Sequence, residues 1–143
     1  MTETINVLAS CDDNYTQHVG VMFISLLENA SAPENIQLYL IDNDISDNNK
    51  SLLSNAVSMR GASISFLAPD VSHYENVPSF RYGLAAYQRL SLGEYLPSSV
   101  SKVVYLDADT VVLGDIAELW ATSFDNHPLC AVENLSPKAS ESL

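Results

Sequence analysis

Positive charge is scarce in this sequence. Six lysines and arginines stand against eighteen aspartates and glutamates, a formal net charge of -12 over 143 residues. Such a field repels a phosphate backbone, which excludes nucleic acid as a partner class. Long apolar runs are also missing: none approaches the roughly 20 residues of a membrane span, so no transmembrane segment is expected. Met1 to Asn6 is polar, with no basic-then-apolar leader, so the sequence reads as cytoplasmic, with peripheral contact at the inner membrane surface left open. Cysteine is sparse. Cys11 and Cys130 lie far apart, each in an apolar run, which predicts two buried free thiols rather than a disulfide. No internal repeat, low-complexity tract or Gly-x-Gly-x-x-Gly loop occurs. His18, His73 and His127 lack metal-ligand spacing, and no nucleophile–His–Asp set is visible.

What is present is enough for a packed core: 47% of the residues are hydrophobic. The length predicts one domain, residues 1–143. Ile5 to Cys11, Ile36 to Ile41, Ser63 to Leu67 and Lys102 to Leu106 read as buried strands, and Leu129 to Glu133 as a last strand. Gln17 to Asn29 reads as a helix with Val21, Ile24, Leu26 and Leu27 on its apolar face. Ser46 is placed to cap a second helix, with Asp47 in its first turn, a stripe of Leu52, Leu53, Ala56 and Val57, and Gly61 as its stop. Ala68 to Tyr82 reads as a loop, Leu84 to Leu90 as helical, Val111 to Leu113 as extended and Ile116 to Trp120 as a short helical turn. Strands alternating with helices predict an α/β domain with a mostly parallel sheet, which binds ligands at the carboxyl ends of its strands.

Three segments carry candidate chemistry. Asp107-Ala108-Asp109 follows the apolar Val103 to Leu106. In an extended segment residues i and i+2 point to one side, and two carboxylates there suit a hard divalent cation, Mn²⁺ or Mg²⁺. Such an ion would let an acidic protein hold a diphosphate. A solvated acidic turn is the plain alternative. Cys11-Asp12-Asp13-Asn14-Tyr15 offers carboxylate and amide groups for the edge of uracil and a ring to stack on it. A capped strand-to-helix turn would use the same residues. Arg89, one of three arginines, could present its fork to donor oxygens or to the nearby carboxylates, or form a surface ion pair.

Together, Ile5 to Tyr15, Ile36 to Ser46, Tyr87 to Leu96 and Val103 to Leu113 resemble glycosyltransferase family eight in order and spacing. The resemblance implies a Rossmann-like GT-A fold, a UDP-sugar donor such as UDP-glucose or UDP-galactose, and transfer of a hexose with retention of configuration to a saccharide or other hydroxyl acceptor. It implies Mn²⁺ held through Asp107 and Asp109, with Ala108 between them in the donor site. It matches Asp12, Asn14 and Tyr15 to the uridine-contacting segment and Arg89 to the donor-contacting arginine. Ser10 and Cys11 would lend backbone contacts near the base. The products expected of such bacterial enzymes are lipopolysaccharide or other cell-surface polysaccharide.

The resemblance covers the N-terminal half of such enzymes. Their later part supplies a third metal ligand, a histidine in a His-x-x-Gly-x-x-Lys type segment, and most of the acceptor site. The sequence therefore reads either as a fragment or as a short homologue, and a donor-binding module without turnover is the live rival. Uncovered apolar faces would then favour a homo-oligomer. Leu106 to Val111 also fits the opening of a haloacid-dehalogenase-type phosphatase, with Asp107 as nucleophile and Asp109 as acid/base. That motif normally opens its domain, and here Lys138 is the only later lysine.

Overall fold

The structure, a computed structural model, describes residues 3–69 and 91–133. In chain order it contains β1 (Ile5–Asp12), α1 (Thr16–Asn29), β2 (Ile36–Asn43), α2 (Asp47–Ser58) and β3 (Ser63–Leu67). Then come α3 (Leu92–Tyr95), β4 (Val104–Tyr105) and α4 (Ile116–Trp120). Among the described residues the strands form one parallel sheet in the order β3-β2-β1-β4.

The alternation of side chains along β1 divides the core in two. Val7, Ala9 and Cys11 face α1 and α2, packing with Val19, Phe23, Leu26 and Leu53. Leu8 faces the other way, with Tyr39 and Ile41, against Leu92, Tyr95 and Val103. A sheet covered on both faces needs continuous apolar strands, and Ile5 to Cys11 and Ile36 to Ile41 supply them.

Helix α2 starts as its residues predict: the Ser46 side chain accepts from the Asn49 amide at 3.4 Å, and Asp47 lies in the first turn. It ends at Ser58, and Gly61 then takes a left-handed φ of 80° that a side chain would resist.

Several expectations need correction. The buried stripe of α1 runs through Val19, Met22, Phe23, Leu26 and Leu27, while Val21 is exposed. Leu52 of α2 is likewise exposed; Leu53 and Val57 are its buried residues. The fourth strand has two paired residues rather than five and is only half-buried; among the described residues it pairs with β1 alone. Leu129 to Glu133 is not a strand. It finds no strand partner among the described residues, and Val132 is 94% exposed. Cys11 is buried as expected, but Cys130 is exposed, since the run around it does not enter the core. The helix expected at Leu84 to Leu90, and the loop from residue 70 to 82, lie outside the described residues.

These burial patterns separate two aliphatic positions of α1. Truncating the fully buried Leu26 to Ala should destabilise the fold by about 2–5 kcal/mol. Val21→Ala, at an exposed position, should stay within about 0.5 kcal/mol of the parent apart from a small helix-propensity gain. Urea unfolding of both variants checks this, and equal losses would place α1 on the wrong face.

Candidate functional site

Parallel strands end on the same edge of a sheet. From β1 the chain builds outward to β2 and β3, then crosses back to lay β4 on the other side of β1. The strand order therefore reverses between β1 and β4, the position where open α/β sheets leave a crevice for ligands. Two acidic segments emerge there, Asp12 to Tyr15 after β1 and Asp107 to Asp109 after β4.

The first segment is a single turn of 3-10 helix leading into α1. Asp12 caps it, its carboxylate accepting from the Tyr15 amide at 3.0 Å. Asp12, Asn14 and Tyr15 are all exposed, and the Tyr15 ring lies 5.0 Å from that of His18, tilted by 34°. Asp13 points elsewhere. Its Oδ1 accepts from the Ser46 amide at 2.8 Å and from Asn49 Nδ2 at 2.8 Å, at the start of α2. Those bonds, the Ser46 amide first, hold its carboxyl below the usual carboxylate range. Asn43 of β2 reaches back to β1, donating to Ser10 Oγ at 3.0 Å and to the Cys11 carbonyl at 3.3 Å. Burial pushes the Cys11 thiol up to about 12, which disfavours the nucleophilic thiolate.

The second segment differs from its expectation. Residues 107–110 form a turn and not an extended strand: the Thr110 amide and hydroxyl both donate to the Asp107 carbonyl, at 3.3 and 2.8 Å. Pleat alternation therefore does not govern where Asp107 and Asp109 point. The turn is fastened on both sides. Before it, the Leu106 amide donates to the Leu8 carbonyl at 2.9 Å. After it, Val112 exchanges bonds with α1, its amide donating to Ser25 Oγ and its carbonyl accepting from Asn29 Nδ2, both at 3.0 Å. Asp115 then accepts from the Ser31 amide at 3.0 Å and caps α4.

Asp107 and Asp109 are both exposed on this turn, with hard oxygen donors that fit Mn²⁺ or Mg²⁺. No group of three or more His, Cys, Asp and Glu gathers among the described residues, so the two aspartates would form a partial ligand set. Arg89 lies outside the described residues. His127 is exposed and has no metal-ligand grouping. The structural roles of Asp13 and Asn43 were not legible in the sequence. Their partners lie 32 to 36 residues away, and the only local hint was Ser46 as a cap. A shallow recess lined by Glu3, Ile5, Ala30, Asn35 and Asp115 lies at the opposite end of the strands, away from both acidic segments.

The model for glycosyl transferase family 8 matches residues 6–142. The chain belongs to this family. The family 8 match spans Asp107 together with all that precedes it from Asn6, which leaves the dehalogenase-type reading of Leu106 to Val111 without support. General stress protein A of Bacillus subtilis (strain 168) is 36% identical over 134 residues, covering 92% of this family 8 chain and 47% of that protein. A crystal structure of the galactosyltransferase LgtC with donor and acceptor sugar analogues superposes with a TM-score of 0.73 at 27% identity, covering 84% of this chain and 43% of that one. The apo structure of the bifunctional glycosyltransferase WbbM gives 0.69 at 28% identity, over 87% of this chain and 22% of that one. The family 8 chain thus has the GT-A fold and spans less than half the length of these relatives.

The two thiols offer a check on how the site is packed. In the native protein one of the two should react quickly with a thiol reagent, Cys130, and the buried Cys11 only after unfolding. A Cys130→Ser variant with a fast-reacting native thiol would show that the end of β1 is open.

Proposed function

We propose that this chain is the donor-binding part of a metal-dependent, retaining glycosyltransferase that uses a UDP-sugar and passes its hexose to a saccharide or other hydroxyl acceptor. The observation that carries this reading is the convergence of Asp12 to Tyr15 and Asp107 to Asp109 at the point of strand-order reversal between β1 and β4. Family membership and the likeness to a galactosyltransferase bound to donor and acceptor sugar analogues support it. Residues 1–143 would form one nucleotide-sugar-binding domain.

In this reading each segment has one task. The exposed Asp12 and Asn14 supply acceptor and donor atoms to the edge of uracil, and Tyr15 presents its ring to the base face. Ser10 and Cys11 border the base through their backbone. Asp107 and Asp109 would hold Mn²⁺, which supplies positive charge to the diphosphate as it leaves. That charge matters in a chain with a net charge of -12, where a bare diphosphate would be repelled. Ala108 keeps the turn between the carboxylates small, and Arg89 is matched by the family resemblance to a second source of positive charge. The third metal ligand and the acceptor site are expected from other parts of the enzyme.

Calorimetric titration tests the reading. UDP should bind at least about tenfold more tightly with Mn²⁺ than without it, because two carboxylates leave the ion mostly hydrated until phosphate oxygens join. Asp109→Asn should remove most of that metal dependence. UDP should exceed GDP and ADP by roughly tenfold, the effect of one mispaired buried group. Binding indifferent to both metal and base would overturn the proposal.

A further inference from the structure

Asp12 and Asp13 are neighbours of identical chemistry, yet the structure gives them different work. Asp12 stays on its own loop, capping the Tyr15 amide. Asp13 leaves the loop and binds the start of α2 through two hydrogen bonds to one oxygen, from the Ser46 amide and Asn49 Nδ2, both 2.8 Å. The segment it reaches is itself held in place. Asp42 accepts from the Ile45 amide at 2.7 Å and pairs with Lys50 at 2.6 Å. Between them Asp44 takes a left-handed φ of 67°, and Ile45 is buried in the core. The turn from β2 to α2 is thus tied down by a buried side chain, an ion pair and a cap before Asp13 meets it.

The other contacts of residues 12–15 are at the end of the ladder or local: Asp12 pairs with Asn43 of β2, its carbonyl accepts from Thr16 Oγ1 at 3.3 Å, and the Tyr15 ring lies 5.0 Å from His18. Asp12, Asp13, Asn14 and Tyr15 are all exposed, and none of them enters the core. We propose that Asp13 is a positioning residue: it anchors the Asp12–Tyr15 loop to the β2–α2 turn and thereby sets the loop's fit to the nucleobase. The inference rests on the uridine reading of that loop. Asp13 does not itself meet the donor. It acts through Asn14 and Tyr15, whose backbone follows directly from its own. Loss of the anchor leaves Asp12 paired with Asn43 at the end of β1 but removes the hydrogen bonds that tie the residue before Asn14 and Tyr15 to α2. A base held by a few directional contacts is sensitive to a shift there, whereas a diphosphate held through Mn²⁺ at Asp107 and Asp109 is not.

The experiment compares two ligands and three variants of the full chain. Asp13→Ala should lower UDP affinity in the presence of Mn²⁺ about tenfold and reduce the preference for UDP over ADP, the scale of one lost charge-assisted bond. Its affinity for Mn²⁺ with inorganic pyrophosphate should stay within about twofold of the parent, well under one such bond. Asp13→Asn keeps an acceptor oxygen for the Ser46 amide and should recover most of the UDP affinity. Asn49→Ala removes one of the two bonds from the far side and should move base preference in the same direction by less. Hydrogen exchange without ligand gives a separate readout: the amides of Asn14 and Tyr15 should exchange faster in Asp13→Ala. Unchanged exchange, or UDP affinity and base preference equal to the parent, would overturn the anchor. Equal losses for UDP and for pyrophosphate would also overturn it, by showing general destabilisation. A parent chain that shows no base preference would instead sink the uridine reading, and the exchange rates would then judge the anchor alone.

Discussion

Strand β1 carries the structure. It is paired in parallel on both sides, to β2 along its full length and to β4 at Val7 and Leu8. It is also covered on both faces, by α1 and α2 against Val7, Ala9 and Cys11 and by residues 92–103 against Leu8. The carboxyl end of this enclosed strand is open: the exposed Asp12 closes it and the exposed Asp13 follows. Parallel pairing forces β4 to end on the same edge, so Asp107 and Asp109 come to that edge without any contact between the two segments being needed. The candidate site follows from the sheet's direction and order.

The edge is crowded with carboxylates, and what answers each one differs. Asp13 is answered by the start of α2, Asp42 by Lys50, and Asp12 by the amide of its own loop. These three carboxylates are met from within the protein, by hydrogen bonds and one ion pair. Asp107 and Asp109 project on an exposed turn after β4. Under the proposed function, that division reconciles a net charge of -12 with a diphosphate ligand. The acidic rim is partly spent on fixing loops, and in the proposed reading a divalent ion at the exposed turn would turn a repulsive surface into an attractive one.

The apolar strands were legible because a sheet buried on both faces leaves a continuous run, as in INVLASC and IQLYLI. The cap at Ser46 and the glycine stop at Gly61 were legible because they are local. Helix faces were less so. Val21 and Leu52 are aliphatic at plausible spacings yet exposed, and the true faces are chosen by what the sheet presents to Met22, Phe23 and Leu53. Leu129 to Glu133 has strand-like composition but no partner strand among the described residues, and composition alone does not supply one. The positions of Asp12 and Asp107 at the strand ends could be read from the sequence. The separate duty of Asp13 could not, because it depends on a partner more than thirty residues away.

The turn at residues 107–110 shows how the same carboxylates can be presented by a different device. In a pleated strand, residues i and i+2 share a side because the backbone alternates. Here the arrangement depends on Thr110, whose amide and hydroxyl close on the Asp107 carbonyl. A strand would hold the pair through its own ladder, but β4 is only two residues long and, among the described residues, pairs with β1 alone. The constraint must come from the ends of the turn, and it does: Leu106 is bonded to β1, and Val112 to Ser25 and Asn29 of α1. Helix α1 is itself the element that the Asp12–Tyr15 loop enters. Helix α1 thus connects to both acidic segments, to the first by continuity of the chain at its start and to the residues after the second through Ser25 and Asn29 near its end. The spacing between the Asp12–Tyr15 loop and the turn at residues 107–110 is then a property of α1 and β1 together, and neither segment has to touch the other to be held in register with it.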